Sequence, residues 1–215
     1  MAKITVIYAR YKIMPNLQLH QLRVAAVAKQ ICDNSTQPVD TDSVIKACLL
    51  HDMGNLIKFE LGLFPQFLEP EGLGYWQKIK DDFVKKYGKQ EHHASIKIAK
   101  EIGVSPKVIE NIDGVGFQKI QGSYFGGSLE QKICNYSDMR VAPTGVVSIH
   151  ERMEDGAKRY NHRKDYKVVG PERDEIFNTL IELEKQLFAD SKIKPSDITA
   201  VSTEPIIDQL RSYEI

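Results

Sequence analysis

Cysteine is scarce in this sequence, and its three copies give no pairing signal. Cys32, Cys48 and Cys134 lie far apart along the chain, are odd in number and form no CxxC pair. Each of them lies in an apolar stretch with helical spacing. This pattern disfavours a disulfide framework and predicts buried free thiols, as expected in a reducing cytoplasm.

Long apolar runs and an excess of one charge are also missing. No stretch approaches the roughly 18 apolar residues that a membrane-spanning helix needs. The charged N-terminus, MAKITVIYARYK, does not resemble a secretory signal. Lys plus Arg and Asp plus Glu both total 29, so no global field favours nucleic acid or a membrane as a partner. We therefore expect a cytoplasmic protein, with any anionic ligand attracted locally.

Helical periodicity dominates the chain, which shows no internal repeat. Strand signals are thin, and only Ile4 to Tyr8 is predicted to be extended. Residues 60–74 contain three glycines and two prolines among Leu and Phe, which predicts a long ordered loop beside a cleft. The predicted fold class is therefore all-α. Helices are predicted over residues 17–32, 40–53, 75–87, 90–102, 105–112, 128–139, 145–160, 171–190 and 204–212.

We predict a single domain over residues 1–215. It has a metal-binding core of about 16–142 and a helical extension over 143–215, which begins at the VAPTG break. The apolar stripe of helix 171–190 packs on the core or forms a dimer contact, so a homo-oligomer stays open. The basic segment KRYNHRKDYK, residues 158–167, allows a nucleic-acid patch, but the balanced overall charge favours a solvated helix end.

Four polar residues stand out because they lie in apolar helical stretches. His20 and His51 each fall on a stripe of apolar residues at helical spacing, which directs their side chains inward. Asp52 diverges from His51 by about 100° in a continuing helix, so one ion can contact both only near a helix end, which Gly54 favours. Asp138 is a carboxylate on a largely buried helix and needs a partner. A metal ion would satisfy several of these groups together.

Two imidazoles and two carboxylates form a mixed nitrogen and oxygen ligand set. It suits one divalent Mn, Fe, Co or Mg ion with water in the open positions, and Zn also fits. Such an ion lowers the pKa of a bound water and polarises a phosphoryl oxygen. Asp52 is placed to orient or deprotonate that water.

The order of these residues resembles the HD-domain superfamily of metal-dependent phosphohydrolases. The pattern is His…His-Asp…Asp, with LLHDMG in the middle and a final Asp followed by Met-Arg-Val, and it covers roughly residues 16–142. The resemblance implies a helical bundle with one metal ion at its centre and activity on nucleotides or other phosphate esters. By position, it implies the ligands His20, His51, Asp52 and Asp138.

The chain departs from the family pattern at two places. Asn55 stands where many HD enzymes carry Lys, and Lys58, one turn further on, is a substitute for that phosphate contact. Asp113 stands near the place of a further histidine that is usual in two-metal members. Of the neighbouring histidines, helical spacing puts His92 on an apolar stripe and His93 on a polar one. We therefore expect one metal ion, with His92 as a phosphate contact, a proton donor or a weak extra ligand.

Two arginines complete the candidate site. Arg23 and Arg140 lie within one helical turn of His20 and Asp138, so each is predicted to contact phosphate or to pair with a nearby carboxylate. With Asn55 they join Lys58 as candidate substrate-binding residues.

The sequence thus predicts a metal-dependent phosphohydrolase that acts on a small phosphorylated substrate, a nucleotide or a related molecule, through a metal-activated water. Asp52 and His92 are the predicted catalytic residues. The alternative, motivated by Asn55 and Asp113, is a non-catalytic metal-bearing module that binds or senses a ligand.

Overall fold

A computed structural model describes residues 1–160 and 170–215, and the fold is all-α, as predicted. The described residues form eleven α-helices and one two-stranded hairpin. The helices are α1 (Ile4–Arg10), α2 (Pro15–Asn34), α3 (Thr41–Leu50), α4 (Leu73–Tyr87), α5 (Glu91–Ile102), α6 (Pro106–Asp113), α7 (Ile120–Gly126), α8 (Leu129–Asp138), α9 (Ile149–Tyr160), α10 (Pro171–Ala189) and α11 (Ala200–Leu210). The hairpin strands are β1 (Val141–Ala142) and β2 (Gly145–Val146).

The centre of the bundle is formed by α2 and α3, which pack against each other. Pro15 opens α2 at a position where its missing N–H costs nothing, and the helix contains no glycine. Residues 24–28, VAAVA, are at most 1% exposed. Their small side chains let neighbouring helices approach closely. As a result α8 packs against both central helices, and α11 packs against α2.

Two capped helices end at the residues of interest. The side chain of Asp40 accepts a hydrogen bond from the Ser43 N–H at 3.1 Å and starts α3, which ends directly before His51. A capping box between Ser128 and Gln131 starts α8, which ends at Asp138. The bundle therefore brings two helix ends to one region.

The N-terminal segment corrects one prediction. Ile4 to Tyr8 is not extended but lies in α1. Its β-branched residues favour a strand locally, yet Ile4, Ile7 and Tyr8 are spaced to bury one helical face, and all three are at most 3% exposed. The Tyr8 hydroxyl donates to the Leu49 carbonyl at 2.7 Å, which ties α1 to α3. Tertiary burial therefore overrode the local propensity.

One further helix and two helix starts differ from the predictions. The glycine-rich α7 was not predicted at all. The predicted helix 145–160 begins only at Ile149, because residues 145–146 pair with β1. The predicted helix 204–212 begins earlier, at Ala200, because the Thr199 side chain accepts from the Ser202 N–H and caps it. Pro205 lies inside this helix.

The remaining segments agree with the sequence more closely. Residues 60–74 contain two short 3-10 turns, and the Trp76 indole N–H donates to the Leu68 carbonyl at 3.1 Å to hold them. The three cysteines are free and buried, as predicted. Within the described parts of the chain, no helix is long and apolar enough to cross a membrane.

The C-terminal helices contact the core at several places. Besides the packing of α11 on α2, α10 packs against α7 and α8. The division into a core and an extension stays a prediction. Most of the basic segment, residues 161–167, lies outside the described residues.

Candidate metal centre

The four candidate ligands come from three elements of the bundle. His20 lies in the second turn of α2, and His51 is the residue at which α3 ends. Asp52 follows in the turn, and Asp138 is the last residue of α8. Because α2, α3 and α8 pack against one another, these side chains converge although 118 positions separate the first from the last.

The distances between the ligand atoms are short. His20 Nε2 lies 3.4 Å from Asp52 Oδ2 and 3.1 Å from Asp138 Oδ1. His51 Nε2 lies 3.6 Å from each of the same two carboxylate oxygens. The His20, His51 and Asp52 atoms all lie within 4.8 Å of one another, so these three groups can hold a metal ion. Asp138 approaches both imidazoles from α8 and completes the set.

The orientation of His51 fits a ligand. Its Nδ1 lies 2.8 Å from the Cys48 carbonyl, which makes Nδ1 the protonated nitrogen and directs Nε2 toward the carboxylates. The side chain is 2% exposed, and Nε2 has no hydrogen-bond partner among the described residues. A buried nitrogen without a hydrogen-bond partner, facing two carboxylates, fits a metal ligand.

The imidazoles and carboxylates of the site shift the pKa values of His51 and Asp138. Burial by itself lowers the pKa of His51, but the carboxylates of Asp52 and Asp138 outweigh burial and raise the pKa to about 9. Burial raises the pKa of Asp138, but the imidazoles of His20 and His51 outweigh burial and hold the pKa well below its usual value. The two carboxylates therefore stabilise a proton on His51, with which a bound cation would compete.

The turn after α3 is held by two hydrogen bonds from its backbone. The Asp52 N–H donates to Gln21 Oε1 at 3.2 Å, and the Gly54 N–H donates to Ser95 Oγ at 2.9 Å. Gly54 has an ordinary φ of −93°, so the turn does not use it for a left-handed backbone. It is needed because a Cβ there would collide with the backbone of α5, including the Glu91 carbonyl.

A family comparison identifies this part of the chain. The model of the HD domain matches residues 18–112. This match is consistent with membership of the HD-domain superfamily. The matched range includes His20, His51 and Asp52, and Asp138 lies beyond it but reaches the same point through α8. Comparisons with curated proteins and with solved structures found no match.

The HD-domain family has a common chemistry. Proteins of this family are generally metal-dependent phosphohydrolases, and HD domains bind divalent metal ions. The convergence of two histidines and two aspartates is what such an ion requires. The sequence resemblance is thereby confirmed, whereas the substrate and the identity of the metal ion stay predictions.

One departure from the family pattern, Asp113, contacts His92 in the structure. His92 Nε2 lies 2.9 Å from Asp113 Oδ1, so α5 and α6 bring these residues into a pair. The hydrogen bond from His92 lowers the pKa of Asp113. His92 is half-buried and His93 is exposed, as the helical spacing predicted. His92 reaches this position because α5 docks on Gly54 in the turn that follows Asp52.

The candidate substrate-binding residues have different surroundings. Lys58 Nζ lies 3.7 Å from Glu91 Oε1 and is 38% exposed. Asn55 begins a 3-10 turn and is 7% exposed. Arg23 Nη1 donates to the Pro143 carbonyl at 3.3 Å. Asn55 and Lys58 lie directly after residues 51–54, which we call the HD turn, and Arg23 lies in α2. The contact of these three residues with a substrate stays a prediction.

Arg140 does not suit a phosphate contact, and this prediction needs correction. Its side chain is 3% exposed, and its guanidinium donates to the Tyr136 hydroxyl at 2.7 Å and to the Val147 carbonyl at 2.6 Å. It also donates to the carbonyls of Pro195 and Ile198. These contacts use the N–H groups of the guanidinium and direct it toward the C-terminal segment. It therefore points away from a phosphate bound near Asp138.

Gln21 is the supporting residue that the sequence analysis missed. It is 0% exposed, and its Oε1 accepts from the Asp52 N–H, so α2 holds the HD turn directly. Its Nε2 has no hydrogen-bond partner among the described residues. The available signal was a polar amide directly after His20, shortly before the apolar run VAAVA of α2.

Proposed function

We propose that this chain is a one-metal phosphohydrolase that cleaves a phosphate ester of a nucleotide or a related small molecule. One observation carries the proposal: His20, His51, Asp52 and Asp138 converge within 3.1–3.6 Å contacts around a buried imidazole nitrogen without a hydrogen-bond partner. The HD-domain match supports the reaction class. The nucleotide as substrate is proposed from the family resemblance.

The ligand set favours one divalent ion of the Mn, Fe, Co, Mg or Zn group. When bound, such an ion supplies Lewis acidity, because it polarises a phosphoryl oxygen and makes water more acidic. His20, His51, Asp52 and Asp138 are the residues that would hold it. Asp113 pairs with His92 in place of a second histidine, which favours one ion over two.

In this proposal Asp52 accepts a proton and His92 donates one. Asp52, 18% exposed at the edge of the ligand set, orients the attacking water and accepts its proton. The hydrogen bond between Asp113 and His92 Nε2 leaves Nδ1 as the ring nitrogen available to a substrate. The doubly protonated ring of His92 then donates its Nδ1 proton to the leaving oxygen and keeps its Nε2 proton in the hydrogen bond to Asp113. Asp113 acts through His92 by holding the ring in place.

Arg23, Lys58 and Asn55 are the proposed phosphate and substrate contacts. The Lys58 ammonium is 38% exposed, and its long 3.7 Å pair with Glu91 is readily exchanged for a phosphate oxygen. Arg23 offers a planar guanidinium of which one nitrogen is used by the Pro143 carbonyl. Arg140 takes no part, because its donors are occupied.

The test is turnover by the metal-loaded protein. The protein would be loaded separately with Mn²⁺, Fe²⁺, Co²⁺, Mg²⁺ and Zn²⁺ and assayed for phosphate release from nucleoside mono-, di- and triphosphates. We expect turnover on at least one nucleotide class and a fall in kcat of about 100-fold or more for Asp52→Ala. No turnover on any substrate, with metal bound, would overturn the proposal.

A matched pair of variants tests the role of His92. His92→Gln should lower kcat by about 100-fold while leaving metal affinity unchanged, because His92 is outside the ligand set. His93→Gln is the control, since His93 is the exposed neighbour on the same helix. Equal activities of the two variants would remove His92 from the mechanism.

A non-catalytic ligand-binding module is the second candidate. The observation that favours it is that Asn55 is buried and Lys58 is paired with Glu91, which weakens the usual phosphate contact at this turn. In that case nucleotides bind the metal-loaded protein without release of phosphate, and Asp52→Ala leaves the bound nucleotide intact as the native chain does. Calorimetry beside the turnover assay separates the two candidates.

A further inference from the structure

A groove that shares no residue with the metal centre opens where the ends of α1 and α4 meet. Its volume is about 310 Å³. Its lining includes two kinds of side chain, namely cations, which recognise anions, and aromatic rings, which pack on flat apolar groups. They are Arg10, Tyr11, Lys12, Phe83, Lys86 and Tyr87.

The floor of the groove is apolar and held in place. Phe83 is 8% exposed and Tyr87 is 5% exposed, with their ring centroids 5.5 Å apart. The Tyr87 hydroxyl donates to Glu101 at 2.9 Å and accepts from the Lys86 ammonium at 2.7 Å. These contacts fix the rings, so the groove offers a preformed apolar surface beside Tyr11.

The rim of the groove carries positive charge that the protein does not neutralise. Arg10 and Lys12 form no ion pair with any residue in the described ranges. Lys86 is different, because Glu101 lies 3.0 Å from its ammonium. Asp82 also lines the groove, but its carboxylate pairs with Lys78 at 3.2 Å. The charge left for a ligand is therefore that of Arg10 and Lys12.

The backbone at Lys12 indicates that this lysine is more than a solvated residue. Cations near a helix C-terminus are favourable in any case, so the position of Arg10 alone identifies nothing. Lys12, however, has φ +50°, and it is the one described non-glycine residue with positive φ. It closes α1 through hydrogen bonds from its own N–H to Ala9 and from the Ile13 N–H to Tyr8. Glycine is the usual residue at such a closure, because a Cβ is strained there.

We propose that the α1/α4 groove binds a phosphorylated small molecule with an aromatic ring, such as a nucleoside monophosphate, without any metal ion. The phosphate lies between the Arg10 guanidinium, which matches its geometry, and the Lys12 ammonium. The ring lies on the apolar floor beside Tyr11 and Phe83. This site is independent of the proposed hydrolysis, since it uses none of the HD residues.

The experiment is an NMR titration of the full-length, metal-free protein in EDTA at constant ionic strength. Adenosine 5′-monophosphate, inorganic phosphate and adenosine are added separately to ¹⁵N-labelled protein. We expect adenosine 5′-monophosphate to shift the amides of Tyr11, Lys12 and Lys86 and to bind more tightly than either of its parts. Equal binding of phosphate would overturn the aromatic half of the proposal, and shifts confined to residues around His51 would overturn the site.

Two variants and a control sharpen the result. Lys12→Gly relieves the backbone strain, so it should raise the thermal midpoint while weakening nucleotide binding roughly two- to five-fold. Arg10→Gln should weaken binding by a similar factor, and the double variant by about tenfold. Lys192→Gln removes one exposed charge elsewhere and should change nothing. Lys12→Gly and Arg10→Gln proteins that bind like the native chain would overturn the proposal.

Discussion

His51 is the most enclosed of the four ligand side chains, with 2% of its side chain exposed against 20% for His20. One ring nitrogen is used by the Cys48 carbonyl, and the other faces Asp52 and Asp138. Without a cation, the two carboxylates stabilise the imidazolium, which is why the pKa rises despite burial. Protons and a metal ion therefore compete for the same nitrogen.

This competition predicts proton release on metal binding. Below about pH 9 the metal-free protein holds a proton on His51, and a metal ion needs the neutral ring. Metal affinity should therefore fall as pH falls, by up to about tenfold per pH unit for one released proton. Titration calorimetry of Mn²⁺ at pH 7.5, in buffers of different ionisation enthalpy, measures the number of protons released.

His93→Gln is the control for the proton count. His93 is exposed, so this variant should release as many protons as the native chain. Binding of Mn²⁺ without any proton release would contradict the placement of His51 as a ligand.

At the scale of elements, the contact between the HD turn and α5 decides where His92 stands. Gly54 packs against the first turn of α5 with no room for a Cβ, which would lie 2.7 Å from Ala94 Cβ and 2.8 Å from the Ser95 nitrogen. The Ser95 hydroxyl also accepts from the Gly54 N–H. The turn and α5 can therefore approach this closely only because Gly54 has no Cβ.

Gly54→Ala should destabilise the protein by about 2–4 kcal/mol, because backbone atoms of α5 must move to accept the methyl group. Urea denaturation monitored by circular dichroism measures the free energy of unfolding. Kinetic assays of the folded variant should show a lower kcat, since α5 carries His92.

Gly122→Ala is the matched control, as nothing lies within 4 Å of the added Cβ in α7. Its effect should be neutral or stabilising by up to about 1 kcal/mol. If both alanine variants were equally stable, the close approach of α5 to Gly54 would be refuted.

At the scale of the whole molecule, Arg140 joins the helix of Asp138 to the C-terminal residues. Its guanidinium reaches the carbonyls of Val147, Pro195 and Ile198, and the Tyr136 hydroxyl that it contacts donates to Glu184 at 2.6 Å. The end of α8 is therefore braced by the hairpin, by α10 and by the segment before α11. The metal centre depends on residues well outside the matched HD range.

Arg140→Ala should lower the free energy of unfolding by about 3 kcal/mol or more, because several buried carbonyls lose their donor. Arg140→Lys should recover only part of this loss, since an ammonium cannot reproduce the planar fork. Denaturation curves and steady-state kinetics would be measured on the same samples, and KM should stay unchanged for the folded protein.

Arg211→Ala provides the comparison, because Arg211 is 52% exposed and near the C-terminus. It should cost less than about 0.5 kcal/mol. A raised KM for Arg140→Ala with unchanged stability would instead restore the sequence-based prediction of a phosphate contact.

The helices and the order of the candidate ligands could be predicted from the sequence, because both depend on local patterns of residues. Apolar residues at helical spacing mark the faces of α2 and α3 that turn inward, and His20 and His51 lie on those faces. Capping residues such as Ser105 mark helix starts through bonds to the next turn. The prediction of α1 as extended failed where burial, a property of the whole fold, outweighed local preference.

By itself the sequence determined an all-α fold with the HD pattern, its inward histidines and His92 as the inward member of its pair. Only the tertiary structure decided which polar groups meet, because a helical stripe gives a direction but not a partner. In the folded protein His92 contacts Asp113, and Gln21 accepts a hydrogen bond from the Asp52 N–H. Arg140 donates to carbonyls more than 50 positions away in the sequence. Those contacts depend on how helices pack, and packing is set by the summed burial of many side chains.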